Sequence, residues 1–162
     1  MKSNLQLRSN VVLLVFACVL LHACISQTYE GKVIKVADGD SISILHQGKE
    51  LRVRLAEVDA PEHGQAYWKK SKQALKDYVL GKNILVEEFD VDRYDRLVGH
   101  VYVDDLWING ELVRQGYAYV YTDYAVSAKL FKYEKQAEKN KLGIWQLPAQ
   151  QRLKPWLWRK NN

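Results

Sequence analysis

The sequence predicts an α+β domain, mainly β, in which short strands curl into a small barrel. Three observations predict it. Apolar residues fall on every second position in several short runs, the period of a strand with one buried face. Two longer runs switch to helical spacing. The chain has 162 residues, 48% of them hydrophobic and 27% charged, the balance and length of one globular domain.

The first 24 residues read as a leader rather than as part of that domain. Lys2 and Arg8 form a positive start, and Val11 to Leu21 is unbroken and apolar. That run is shorter than the ~20 residues that span a bilayer and fits a signal peptide. Leu21-His22-Ala23-Cys24 resembles a bacterial lipobox, in which the cysteine is acylated and becomes the mature N-terminus. The expectation is a cell-envelope lipoprotein held to a membrane through lipid on Cys24. Plain secretion with cleavage near Ser26, or an uncleaved anchor, are the alternatives. Cys18 and Cys24 are the two cysteines, so the domain is expected to have no disulfide and no thiolate metal site. Net charge is +5; without Lys2 and Arg8 it is about +3. This is compatible with a polyanionic partner without pointing to one.

The first strand is predicted over Thr28 to Ala37. Asp38-Gly39-Asp40 is a turn. Ser41-Ile42-Ser43-Ile44 and Leu51-Arg52-Val53-Arg54-Leu55 alternate cleanly, with His46-Gln47-Gly48-Lys49 as the hairpin loop between them. Leu51, Val53 and Leu55 should face the core, and Arg52 and Arg54 the other side. Asp59-Ala60-Pro61-Glu62 follows. Gln65 to Leu80 is predicted helical, with Trp68, Leu75, Tyr78 and Val79 on the inner face and Gly81 as its stop. Asn83 to Phe89 and Leu97 to Val103 are the fourth and fifth strands, joined by the polar loop Asp90 to Arg96. Asn109 is read as the cap of a short helix to Gln115. Ala125 to Lys139 is the third helix, with Val126, Leu130, Tyr133 and Ala137 inward. The Trp-rich tail, residues 147–162, is expected to pack on the domain.

Five short strands with three helices point to the oligonucleotide-binding barrel, although periodicity alone leaves other α+β folds open. The carboxylates of Asp38, Asp40, Asp59 and Glu62, bracketing a strand that carries Arg54, suit a hard cation and an anionic substrate. The four histidines, His22, His46, His63 and His100, show no zinc spacing.

The ordered set Asp38-Gly39-Asp40-Ser41, Val53-Arg54-Leu55, Asp59-Ala60-Pro61-Glu62, Asp92-x-Tyr94-x-Arg96, Asn109-Gly110-Glu111-Leu112-Val113 and Leu142-Gly143-Ile144-Trp145 resembles the staphylococcal nuclease (thermonuclease) family. The similarity covers Thr28 to Gln146. The resemblance implies a five-stranded oligonucleotide-binding barrel with three helices, residues 28–146. It implies a calcium-dependent hydrolase that cuts DNA and RNA with little sequence preference and leaves 3′-phosphates. Arg54, Glu62 and Arg96 map onto the family's catalytic residues. Asp40, Asp59 and the backbone carbonyl of Ala60 map onto its Ca²⁺ ligands, and Asp38 onto an acid that supports the metal through water. Arg93, Tyr119 and Tyr121 map onto the nucleotide pocket. For the two tyrosines, core packing and base stacking are both open on the residues alone. Asp95 departs from the glycine usual in the family, and the segment after Glu62 is short. A monomer is expected. The alternative is a non-catalytic barrel that binds nucleic acid or protein at the envelope.

Overall fold

The computed structural model describes residues 27–161; the leader, Cys24 and the lipobox lie outside the described residues. Five long strands form the body: β1 (Thr28–Asp38), β2 (Ser41–His46), β3 (Lys49–Leu55), β5 (Asn83–Val91) and β6 (Leu97–Val103). Three pairs of residues form short additional strands: β4 (Val58–Asp59), β7 (Leu106–Trp107) and β8 (Tyr119–Val120). The helices are α1 (Trp68–Val79), α2 (Ile108–Arg114), α3 (Ala128–Lys139) and α4 (Pro155–Asn161).

The long strands pair in the order β3-β2-β1-β5-β6, and β3 returns to pair with β6, which closes the ring. Every pairing is antiparallel except the closing one, where Val53, Arg54 and Leu55 lie parallel to Leu97, Val98 and Gly99. Register shifts in β1 near Val33 to Asp38 and in β5 near Glu88 to Asp90 bend the two strands sharply, as bulges do in small barrels. The β2–β3 hairpin turns on Gln47 and Gly48, with φ 47° and 78°. A two-residue loop with both φ positive matches the twist of the flanking strands. The alternation in β3 is as predicted: Val53 and Leu55 are buried, Leu51 half-buried, and Arg52 exposed.

Val33, Ile42, Ile44, Val53, Val86 and Val101 fill the barrel, and Leu75, Val79, Leu112 and Leu130 cover it from the helices. Burying each such side chain contributes roughly 1.5–3 kcal/mol. Helix α1 begins at Trp68, three residues later than periodicity predicts, because Tyr67 sits in the left-handed region (φ 73°) and cannot extend the helix. Its inner face is Ser71, Ala74, Leu75 and Val79, with Trp68 and Tyr78 half-buried at its edges. Gly81 (φ 77°) follows its end as expected.

Asn109 is not a cap. It lies inside α2, whose N-cap is Trp107, and is fully buried. Its Oδ1 accepts the Val101 N–H (2.9 Å), and its Nδ2 donates to the carbonyls of Ala56 (3.0 Å) and Gly99 (3.2 Å). It therefore ties the helix to the seam that closes the barrel. Helix α3 starts at Ala128, and Val126 is 77% exposed rather than inward. The N–H groups of Val126 and Ser127 are taken by the Glu57 carboxylate instead. The tail folds into a fourth helix that the sequence does not announce.

Candidate active-site cleft

Three stretches converge on one rim of the barrel: the β1–β2 turn, the segment from β3 through Glu62, and the β5–β6 loop. They enclose a cleft of about 590 Å³. Arg54, Glu62 and Arg96 all line it, as do Asp38, Asp40, Asp59 and Ala60. Arg93 and Tyr121 line it as well. Tyr119 lies outside it, 1% exposed, with its ring edge-on to Trp145 and the Lys154 ammonium 4.3 Å above it. Tyr119 packs, and of the two predicted tyrosines Tyr121 is the one that reaches the cleft.

The acidic floor is built by close backbone contact. A Cβ on Gly39 would lie 2.7 Å from the Cβ of Ala60, so only glycine lets the two loops meet. Asp40 is 7% exposed; its Oδ2 accepts the Ala60 N–H (2.8 Å) and its Oδ1 the Ser41 hydroxyl (2.9 Å). Asp38 accepts the Gly39 N–H (2.8 Å) and the Trp68 indole N–H (2.7 Å). Burial raises the Asp38 carboxyl above the usual range. Asp59 is completely buried. Burial, then the charge of Asp40, pushes its carboxyl up to about 6, against the pull of Arg54 and Arg159.

The Arg54 guanidinium is turned to this floor through both terminal nitrogens. Its Nη1 donates to the carbonyls of Leu55 (2.9 Å) and Val58 (2.8 Å). Its Nη2 reaches Asp59 Oδ1 at 2.7 Å and Asp40 Oδ2 at 3.3 Å. Arg54 therefore fixes both carboxylates as well as charging the cleft wall.

The β5–β6 loop presents Arg96. Asp92 takes the backbone N–H groups of Tyr94 and Arg96 and the Arg96 Nε and Nη2, both at 2.7 Å. Burial alone would raise the Asp92 carboxyl; these bonds outweigh it and hold it below the usual range. Asp95, at the glycine position, adopts φ 55°, the left-handed region that aspartate tolerates better than most residues. The loop keeps its turn, and Asp92 rather than Asp95 anchors Arg96. The Arg93 and Arg96 guanidinium groups lie 5.7 Å and 5.6 Å from the Tyr94 ring centre.

Sequence reasoning gives one residue of the cleft no role, although it closes the run Pro155-Trp156-Leu157-Trp158-Arg159, which is similar to the ending of bacterial members of the family that the ordered motifs resemble. Arg159 of α4 bonds both Asp59 oxygens at 3.1 Å and also Glu62. Its partners lie 97 to 100 positions away, and no local pattern encodes such a contact.

The donor chemistry suits a hard divalent cation, since carboxylate and carbonyl oxygens are what Ca²⁺ takes. Asp40 and Asp59 are two buried like charges held within each other's field, an arrangement that a dication stabilises. Among the described residues no three His, Cys, Asp or Glu side chains are placed to hold a metal ion. Asp40 and Asp59 are the side chains that could hold such an ion, with backbone oxygen and water to complete its ligands.

Residues 52–147 match the family model described as staphylococcal nuclease homologue. A micrococcal nuclease of Shigella flexneri is 37% identical over 82% of this chain and 81% of its own. An uncharacterized endonuclease of Escherichia coli O157:H7 is 37% identical over 92% of this chain and 94% of its own. An uncharacterized endonuclease of Haemophilus influenzae is 36% identical, over 88% and 79%.

Proposed function

The chain belongs to the staphylococcal nuclease family of nucleic-acid hydrolases, and from that premise we propose a calcium-dependent phosphodiesterase that cuts DNA and RNA with little sequence preference and leaves 3′-phosphates. The observation that carries the proposal is the convergence of Arg54, Glu62 and Arg96 with Asp40 and Asp59 on one cleft.

Hydrolysis of a phosphodiester requires a positioned water, a proton acceptor and positive charge where the phosphoryl oxygens gain negative charge. Glu62 is the half-exposed carboxylate at the cleft mouth and is the group to take or orient the water's proton. Arg96 is held through Nε and Nη2 by Asp92, which leaves Nη1 to donate to a phosphoryl oxygen. Arg54 keeps Asp40 and Asp59 in place and contributes fixed positive charge to the wall. Asp40 and Asp59 would hold a Ca²⁺ ion, which would supply Lewis acidity for the phosphoryl group. Arg93 and Tyr121 stand where they can meet the rest of the nucleotide, Tyr121 with its ring against Trp156. Nothing in this set reads base edges, in keeping with low sequence preference.

The leader is proposed to direct the protein out of the cytoplasm, with lipid on Cys24 as the membrane link. The mass of the mature N-terminal peptide tests this: an acylated Cys24 supports it, and an unmodified N-terminus near Ser26 replaces it with simple secretion.

The activity is tested by digestion of plasmid DNA and of RNA with Ca²⁺ and with chelator, beside Glu62→Ala and Arg96→Ala. The expected result is calcium-stimulated cleavage of both substrates, reduced by on the order of 10²–10³-fold in each variant. A parent protein without calcium-stimulated cleavage would return the domain to the binding-module alternative.

A further inference from the structure

Arg159 is the feature of the cleft that the reaction above does not use. It comes from α4, which is seated independently of it. Pro155 is buried, Trp156 stacks on Tyr121 with ring centres 5.2 Å apart and 16° between planes, and Lys154 lies over Tyr119. The Arg159 guanidinium then lies 5.8 Å from the Tyr121 ring centre. It faces Asp59 as a fork, with Nη1 on Oδ1 and Nη2 on Oδ2, and Nη1 also bonds Glu62. Asp59 Oδ1 additionally holds Arg54. Both oxygens of a fully buried carboxylate are thus engaged by guanidinium donors within the cleft that Asp59 and Arg159 both line.

We propose that Arg159, which also holds Glu62, is an internal cation that competes with the metal ion for Asp59, so that metal binding and the seating of α4 oppose each other. The inference rests on the metal-dependent reading above. Physically, a carboxylate offers a fork-shaped partner its two oxygens together, and a second cation at those oxygens meets both a filled ligand set and a like charge. Loading the site therefore requires Arg159 to leave or to share Asp59, and Trp156 shares its helix. By linkage, whatever factor Arg159 takes from metal affinity, the metal takes from the docking of α4. The tail then acts as a seat that covers the acidic floor without metal and opens when metal arrives.

The test is calorimetric titration of the purified protein with Ca²⁺ alone, without nucleic acid, for the parent, Arg159→Gln and Arg159→Lys. Arg159→Gln is expected to bind Ca²⁺ about tenfold more tightly or better, within the usual range of coupling between sites. Arg159→Lys, which keeps the charge and loses the fork, is expected to lie between. In the parent, the tryptophan emission should change with the same midpoint as metal binding, as Trp156 leaves Tyr121. Thermal melts without metal confirm that each variant is folded. Equal or weaker Ca²⁺ affinity in Arg159→Gln overturns the inference while leaving the metal-dependent reading intact. Equal affinity with a raised KM for nucleic acid makes Arg159 a substrate contact instead. Failure of parent and variants alike to bind Ca²⁺ overturns both the inference and the metal-dependent reading.

Discussion

Replacing Arg54 by lysine separates the charge of this residue from its shape. The guanidinium makes four contacts: two to the carbonyls of Leu55 and Val58, and two to the carboxylates of Asp59 and Asp40. An ammonium group keeps the charge near the carboxylates but is a compact point donor that cannot span all four. The two carbonyls belong to residues that are 1% exposed and would lose a charged donor, at roughly 1.5–3 kcal/mol for each such bond. The retained charge limits the loss, so Arg54→Lys should cost about 3 kcal/mol. Arg54→Ala also leaves two buried carboxylates short of a cation, and breaking a buried pair costs about 3–5 kcal/mol; adding the carbonyl bonds, about 5 kcal/mol or more is expected. Part of that loss should return as the pH falls, and from a higher pH than in the parent, because the Arg54 charge that holds the Asp59 carboxyl down is gone. Urea unfolding with chelator present measures both variants, and the same preparations are assayed for cleavage, with a fall on the order of 10²-fold or more expected for Arg54→Lys. A lysine variant within about 0.5 kcal/mol of the parent, well below one such bond, would refute this account of Arg54 as the brace of the acidic floor.

Two further outcomes follow from the same physical reasoning. The left-handed backbone of Asp95 means that Asp95→Ala should lose roughly 1 kcal/mol while Asp95→Gly loses nothing measurable by urea unfolding; equal losses would assign the effect to the carboxylate instead of the backbone. Burial pushes the His100 imidazole below the usual histidine range, against Glu57 and Glu87. It is neutral in the fold: its Nδ1 accepts the Trp107 indole N–H (3.2 Å) and its Nε2 faces Glu57 at 3.3 Å. The unfolded chain therefore binds the His100 proton first, and stability falls as pH drops through about 6.5. Asp59 works the other way, gaining a proton in the fold near pH 6 and adding stability below it. Thermal melts of the parent and of His100→Gln between pH 7.5 and 5.5 isolate the histidine: the parent should lose more than the variant, and parallel curves would reject a neutral buried His100.

What the sequence made legible was what repeats locally. The alternation in Leu51 to Leu55 gave both the strand and its inner face, and Leu97 to Val103 coincides with β6 end to end. The β4, β7 and β8 strands are two residues each, too short to carry any period. Asn109 misled because a polar residue before a helical run reads as a cap; its partners Val101, Ala56 and Gly99 are visible only once the barrel closes. Val126 misled for a related reason. It fits the helical face by spacing, but Glu57 caps the chain there and starts the helix later. Arg54, Glu62, Arg96, Asp38, Asp40 and Asp59, all in the cleft lining, were legible as an ordered set; the contact of Arg159 was not, since it depends on how the tail is routed.

That contrast bears on why the cleft exists at all. The Gly39–Ala60 approach and the Ala60 N–H bond to Asp40 force Asp40 against Asp59, and the buried carboxyl of Asp59 rises accordingly. A core built for stability alone would place an apolar residue at position 59, because replacing buried ion pairs by apolar groups is often neutral or stabilising. The fold instead accepts a strained pair of carboxylates and braces it with two arginines from distant parts of the chain. Groups whose ionisation is perturbed this way by burial and a specific neighbour cluster at functional sites. Arg54 stands in the barrel wall and is a fixed brace. Arg159 stands on a seven-residue helix, Pro155–Asn161, and is the brace that the proposed competition with a metal would displace. A ligand that carries two positive charges would relieve the raised carboxyl of Asp59, and under the competition proposed above the tail helix is the part of the fold that would make room for it.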